Sequence, residues 1–220
     1  MLASNQSHVQ QSAPSAVTIL LTGFGPFANV ERNPSELIVA ELAASRIGEH
    51  EIVGRVLPVS AEHTPRALRA ALDDVEPSLA LMLGVAPGRA ALSIERIAVN
   101  CFDFADPDND GERPVDVPIE PDGPDAYFAT LPLRAIVAAW QEAGIPGYLS
   151  DTAGTYLCNA AMYTALHASV AERLPAGFLH LPSLPDEVAG SRSPQPSMPL
   201  ATQVEGTRVA LEACVGALVA

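Results

Sequence analysis

The strongest constraint on the fold is an alternation: short apolar runs that end at glycine or a polar loop are each followed by a stretch with helical spacing. Residues 17–21 form the first run, which leads into Thr22-Gly-Phe-Gly-Pro-Phe27. Asn33-Pro34-Ser35-Glu36 then supplies an N-cap, a proline at the first helical position and a glutamate at the third, ahead of a helical pattern over 37–44. Residues 51–59 read as a strand, 64–72 as a helix starting near Pro65, and 79–83 as a buried strand before Gly84. Residues 93–99 alternate well enough for one strand, although Glu95 and Arg96 inside it need polar surroundings. Further on, 133–143 is helical and stops at Gly144, 148–150 is a short strand, 156–173 a helix, 177–181 the last strand and 202–218 a closing helix. Two segments break the rhythm, 103–125, rich in Asp, Pro and Gly, and 182–199, rich in Pro and Ser. The pattern predicts an α/β fold: a single-domain three-layer α/β/α sandwich with a mostly parallel twisted sheet and helices on both faces.

With 220 residues, 48% of them hydrophobic, the chain can bury one sizeable core, expected over residues 17–220 behind a polar, disordered leader at 1–16. The leader lacks the basic and apolar regions of a secretion signal, and no apolar stretch reaches the roughly 18 residues of a membrane span. A formal charge of -14 without a basic run opposes attraction to nucleic acid or anionic lipid. Cys101, Cys158 and Cys214 are odd in number and widely spaced, which argues against a disulfide framework and for a reducing compartment. The expectation is a cytoplasmic protein with neither nucleic acid nor membrane as partner.

Three residues stand out as chemistry. Cys158 falls in the first turn of a helix that Thr155 is placed to cap, where exposed N–H groups and the macrodipole favour a thiolate. The same cysteine shares i, i+4 spacing with Met162 and Leu166, so ordinary helix core is the competing reading. His180 closes the run Gly177-Phe178-Leu179 at the carboxyl edge of a strand, where open α/β sheets bind ligands, although a lone histidine there also serves as a hydrogen-bonded structural group. Glu95 lies on a strand and Arg96 beside it points to the opposite face; an exposed strand edge explains both equally well. Together a thiol, an imidazole and a carboxylate to orient it make up the set that acyl transfer by cysteine requires.

Other motifs fail on their own terms. Asp106-Pro107-Asp108-Asn109-Asp110-Gly111 imitates the start of a calcium loop, but the twelfth position is Val117 where a bidentate glutamate is needed. Gly23-Phe24-Gly25-Pro26-Phe27 lacks the third glycine of a dinucleotide fingerprint, and Pro26 removes an N–H. No two Cys or His residues share zinc-ligand spacing, so no metal and no cofactor is expected.

Several ordered motifs resemble the pyrrolidone-carboxylate peptidases, also called pyroglutamyl peptidases I, a family of cysteine peptidases. They are Thr22-Gly-Phe-Gly-Pro-Phe27 with Asn33-Pro34-Ser35, Gly84-Val-Ala-Pro-Gly-Arg89, Ile94-Glu-Arg-Ile-Ala-Val-Asn100, Pro107-Asp-Asn-Asp-Gly111, Asp122-Gly-Pro-Asp-Ala-Tyr-Phe128, Ser150-Asp-Thr-Ala-Gly-Thr-Tyr-Leu-Cys-Asn159 and Gly177-Phe-Leu-His-Leu-Pro182. The resemblance implies hydrolysis of the amide bond after an N-terminal pyroglutamyl residue of peptides, with Glu95, Cys158 and His180 as the triad. It further implies that Phe24 and Phe27 flank the ring, that main-chain groups of Gly84, Val85 and Ala86 and the Asn33 region hold the lactam, and that subunits form a homo-oligomer, a tetramer. Three positions depart from the family pattern: Ala105 stands where many relatives carry an arginine, Ser183 where an aromatic is usual, and Ala160 where histidine is frequent. An amidase of altered specificity and a pyroglutamyl-peptide binder without turnover remain the alternative readings.

Overall fold

The computed structural model describes residues 18–27, 30, 32–170 and 173–218; the leader expected at 1–16 lies outside them. Its centre is β1 (Thr18–Phe24), β3 (His50–Leu57), β4 (Leu79–Val85) and β9 (Ala176–Leu181), which pair in parallel in the order β3-β1-β4-β9. β2 (Arg46–Ile47) extends one edge antiparallel to β3. At the other edge β5 (Leu92–Glu95) runs antiparallel to β9 and parallel to β8 (Gly147–Ser150), which completes a seven-stranded sheet.

The strands read as continuous apolar runs because both faces are covered. On β4, Leu79, Leu81 and Leu83 pack with α1 (Pro34–Leu42), α3 (Leu133–Glu142) and α6 (Leu200–Leu218), through Ile38, Ile136, Trp140 and Leu211. Ala80 and Met82 face the other way, toward α2 (His63–Val75) and α4 (Leu157–Ala168). The same period places Leu179 and Leu181 of β9 on the first face and Ala176, Phe178 and His180 on the second. This is the doubly covered, mostly parallel sheet that the alternation predicts.

Several local expectations are corrected. Pairing of β1 with β3 continues through Phe24 opposite Leu57, so the first strand absorbs Thr22–Phe24 of the expected loop. The strand expected over 93–99 breaks at Arg96: β6 (Ile97–Val99) leaves the main sheet and forms a separate two-stranded sheet with β7 (Ala126–Phe128), a strand the sequence pattern did not suggest. Arg96 donates its backbone N–H to Ser150 O and its Nε to Asp151 Oδ1, anchoring the break. The helix expected to reach residue 173 ends at Ala168, and α5 (Pro185–Val188) forms inside the stretch read as loop.

Residues 103–125 hold no named helix or strand, yet Asp108 ties them down. Its Oδ2 accepts from Ala61 N (2.7 Å) and its Oδ1 from Asp110 N and Glu112 N (both 2.9 Å), while Asn109 Nδ2 donates to Pro26 O (3.0 Å). The acidic loop is thus a hydrogen-bonded strap across the carboxyl ends of the strands.

Candidate active site

Strand register carries the site. Gly84 on β4 is opposite His180 on β9, and His180 in turn is opposite Ser93 on β5. Glu95, two residues beyond Ser93, is on the same face, its side chain wholly buried. His180 Nδ1 is 2.7 Å from Glu95 Oε1. An ionised carboxylate only accepts, so Nδ1 carries the proton and the lone pair of Nε2 faces away from Glu95.

Cys158 reaches the same point from above. It is the second residue of α4, and a Cβ built on Gly84 would lie 2.7 Å from its Sγ and 2.8 Å from Phe178 Cζ. The space left by the glycine side chain is therefore the seat of the thiol. Cys158 and His180 border one cavity of about 530 Å³, and among the described residues no hydrogen bond joins Sγ to the imidazole. Thr155 is not the cap: Tyr156 occupies the N-cap position without a side-chain bond, and the Thr155 hydroxyl donates to Asp103 O (2.8 Å). The first-turn N–H groups of α4 are left without a side-chain cap at the position of the thiol.

Burial works against the thiolate that the helix start favours. Although Cys158 keeps some exposure, burial pushes its thiol up to about 12, with Glu95 adding to the rise and Arg89 and the residue's own N–H opposing it. Burial also lowers His180, against the Glu95 hydrogen bond that raises it. Glu95 is raised by burial but held below its ordinary value by His180, Ser150 and Arg89 together. Burial thus works against both the thiolate and the imidazolium, while the partners of Glu95 favour its ionised form.

Arg89 is the residue that sequence reasoning left without a role. Its Nη1 donates to Glu95 Oε1 (2.6 Å) and to Ser93 Oγ. The signal was present in Ala86-Pro87-Gly88-Arg89: Arg89 N donates to Ala86 O and Gly88 has φ +88°, a type II turn that returns Arg89 toward the sheet edge.

A second, smaller cavity of about 40 Å³ also borders Cys158, lined with it by Phe24, Phe27, Asn33, Val85 and Tyr156 among others. Four of the six residues expected at a ring pocket are thus together. Ala86 instead borders the larger cavity, with its N–H donated to Leu181 O (2.8 Å), and Gly84 lines neither cavity because it lies beneath the thiol. Asn33 caps α1: Oδ1 accepts from Ser35 N and Ser35 Oγ, and Nδ2 donates to Gly25 O (2.9 Å). Ser35 Oγ accepts in turn from Phe24 N (2.9 Å), so the α1 cap fixes the wall of the small cavity. Tyr156, unassigned from sequence, borders both cavities, its ring packed 4.2 Å from that of Phe104.

A thiol at a helix start and an imidazole backed by a buried carboxylate, at the carboxyl edge of an α/β sheet, define a cysteine-type hydrolase. Comparison with known proteins narrows the class. The family model described as pyroglutamyl peptidase matches residues 17–217. The pyrrolidone-carboxylate peptidase of Pyrococcus furiosus is 43% identical over 199 residues, 88% of this chain and 96% of the relative, and that of Pseudomonas fluorescens is 42% identical over 194 residues, 88% and 90%. The solved pyrrolidone carboxyl peptidase from Thermococcus litoralis superposes with a TM-score of 0.89 at 40% identity, covering 92% of this chain and 94% of its own. The chain belongs to the pyroglutamyl peptidase family. Among the described residues no helix is long and apolar enough to cross a membrane.

Proposed function

We propose that the protein hydrolyses the amide bond following an N-terminal pyroglutamyl residue, with Cys158 as nucleophile, His180 as general base and acid, and Glu95 orienting the imidazole. The observation that carries this reading is the Glu95–His180 hydrogen bond of 2.7 Å beside a thiol seated on Gly84, with two cavities meeting at the sulfur. The small cavity, walled by Phe24 and Phe27, suits a flat, neutral ring whose methylenes prefer aromatic faces. Asn33 and Val85 line it too, so the lactam would meet them rather than Ala86.

With burial disfavouring both the thiolate and the imidazolium, the thiol proton passes to His180 Nε2 as sulfur attacks the pyroglutamyl carbonyl carbon. The imidazolium is stabilised by Glu95, and the oxyanion by first-turn N–H groups of α4 at Cys158. His180 then protonates the leaving amine as the C–N bond breaks, giving a thioester. Water, deprotonated by the same nitrogen, attacks the thioester and releases pyroglutamate and the thiol. His180 borders only the larger cavity, so the departing peptide belongs there.

The test is release of a pyroglutamyl-linked amine fluorophore. Cys158→Ser and His180→Gln are expected to lose roughly 1,000-fold or more in kcat; equal rates in wild type and Cys158→Ser would sink the assignment. A panel that includes prolyl and glutaminyl amides separates an amidase of altered specificity, a reading that Ala105 on the larger cavity keeps in view. Association of subunits into a tetramer is supported by the family resemblance and by Phe128, 68% exposed on β7; light scattering tests it. Residence in the cytoplasm is supported by three free cysteines.

A further inference from the structure

Arg89 is in direct contact with the carboxylate that anchors the histidine. We infer that Arg89 is a positioning residue for the reaction, holding the Glu95 carboxylate in place through the oxygen that also receives the His180 ring. The inference rests on the hydrolytic reading of the site.

A wholly buried carboxylate needs a partner that offsets its desolvation. Glu95 Oε1 has two: Arg89 Nη1 at 2.6 Å and His180 Nδ1 at 2.7 Å. Arg89 has a fixed charge, whereas His180 gains and loses one in each catalytic cycle. Arg89 is also fixed in space. Its Nη1 bridges Glu95 to Ser93 Oγ, and Ser93 is the residue opposite His180 in the β5–β9 register. Its backbone is set by the turn at Gly88, which follows directly from the strand that carries Gly84 under the thiol. One strand end therefore places both the seat of the sulfur and the cation that fixes the carboxylate.

Sharing one oxygen has a consequence for charge. Arg89 favours ionised Glu95 and disfavours a second cation on His180. The charged or titratable groups facing the pair are Arg89 and Cys158; Ser93 and Ser150 are polar but uncharged. Without the guanidinium, the Glu95–His180 pair retains its proton to higher pH, whichever group carries it.

The experiment compares wild type, Arg89→Met and Arg89→Lys with a pyroglutamyl-linked amine fluorophore across pH, with rates normalised to alkylatable Cys158. Arg89→Met should lower kcat roughly 10- to 100-fold, the weight of a charge-assisted hydrogen bond, with KM changed less than about threefold. The acidic limb of kcat/KM should move up by about one pH unit. Arg89→Lys should restore the limb and part of kcat. An NMR titration of the His180 ring, assigned with His180→Gln, reads the same upward shift without turnover. A wild type that fails to hydrolyse the substrate refutes the hydrolytic reading, while the NMR titration still decides the Arg89 contact. Arg89→Met with unchanged kcat, or with kcat lowered equally at every pH and His180 titrating as in wild type, overturns the inference.

Discussion

Replacing Gly84 with alanine tests whether the thiol is seated by the absence of a side chain. The added Cβ would lie 2.7 Å from Cys158 Sγ and 2.8 Å from Phe178 Cζ, while an ordinary contact between carbon atoms is about 3.5–4.0 Å. Phe178 is wholly buried and cannot yield freely, so the sulfur must retreat by roughly 1 Å, a displacement that can lower catalysis about 100-fold. Overpacking should cost about 1–3 kcal/mol of stability. Gly177→Ala is the matched control: its Cβ would lie 2.7 Å from Leu131 Cδ1, an overlap of the same size on the same strand as His180 but against a leucine. The assays are kcat/KM with a fluorogenic pyroglutamyl amide and urea unfolding. Gly84→Ala is expected to lose activity and stability, Gly177→Ala stability with kcat/KM within about threefold of wild type. If the two variants are equally destabilised and equally active, Gly84 does not seat the thiol.

Because burial pushes the Cys158 thiol up to about 12, its alkylation by iodoacetamide should be slow at neutrality and climb past pH 9 without a plateau; a plateau near pH 7 would establish a resting ion pair instead. His180 is held below its ordinary value of 6.5, so the unfolded state takes up the proton first, and stability falls as pH drops through 6.5 toward the folded value. His180→Gln should flatten that slope in urea unfolding between pH 7.5 and 5.5, and an unchanged slope counts against a neutral buried imidazole. Asp103 and Asp106 border the larger cavity while Arg89 is committed to Glu95, so arginine after pyroglutamate should exceed glutamate roughly three- to tenfold in kcat/KM at low salt, and equal rates would refute it. Asp108→Ala removes the acceptor for three backbone N–H groups and should cost about 2–4 kcal/mol while raising KM; wild-type urea midpoints would show that the strap holds without it.

The fold was legible where a segment is long enough to carry a period. β4 is buried at all seven positions, and such a strand announces itself as an unbroken apolar run. β6 and β7 have three residues each, too few for any period, and their pairing joins chain segments on either side of a long excursion. The antiparallel direction of β5 was equally hidden, because it depends on the path taken by the chain between Val85 and Leu92 and not on the apolar pattern of the strand itself. Asp108 shows the same limit in another form. Its spacing imitates a calcium loop, yet its carboxylate is spent on backbone N–H groups, one of them 47 residues away at Ala61.

At the site, residue types were readable and their states were not. Glu95 and His180 are 85 residues apart, and only the β5–β9 register makes them neighbours. Sequence position correctly sets Cys158 at a helix start, which favours a thiolate; the structure adds the competing quantity, the burial of a sulfur seated on Gly84. Burial opposes that thiolate, and on the proposed mechanism the proton then moves during the attack. This places the demand on His180, whose basicity is set by an ionised Glu95 on one side and limited by Arg89 on the other. On the proposed mechanism, a pair whose charged forms are disfavoured by burial reacts when a substrate brings a carbonyl to the sulfur. On that mechanism the walls of the small cavity, fixed by the Asn33–Ser35 cap, are as much a condition of the chemistry as the thiol itself.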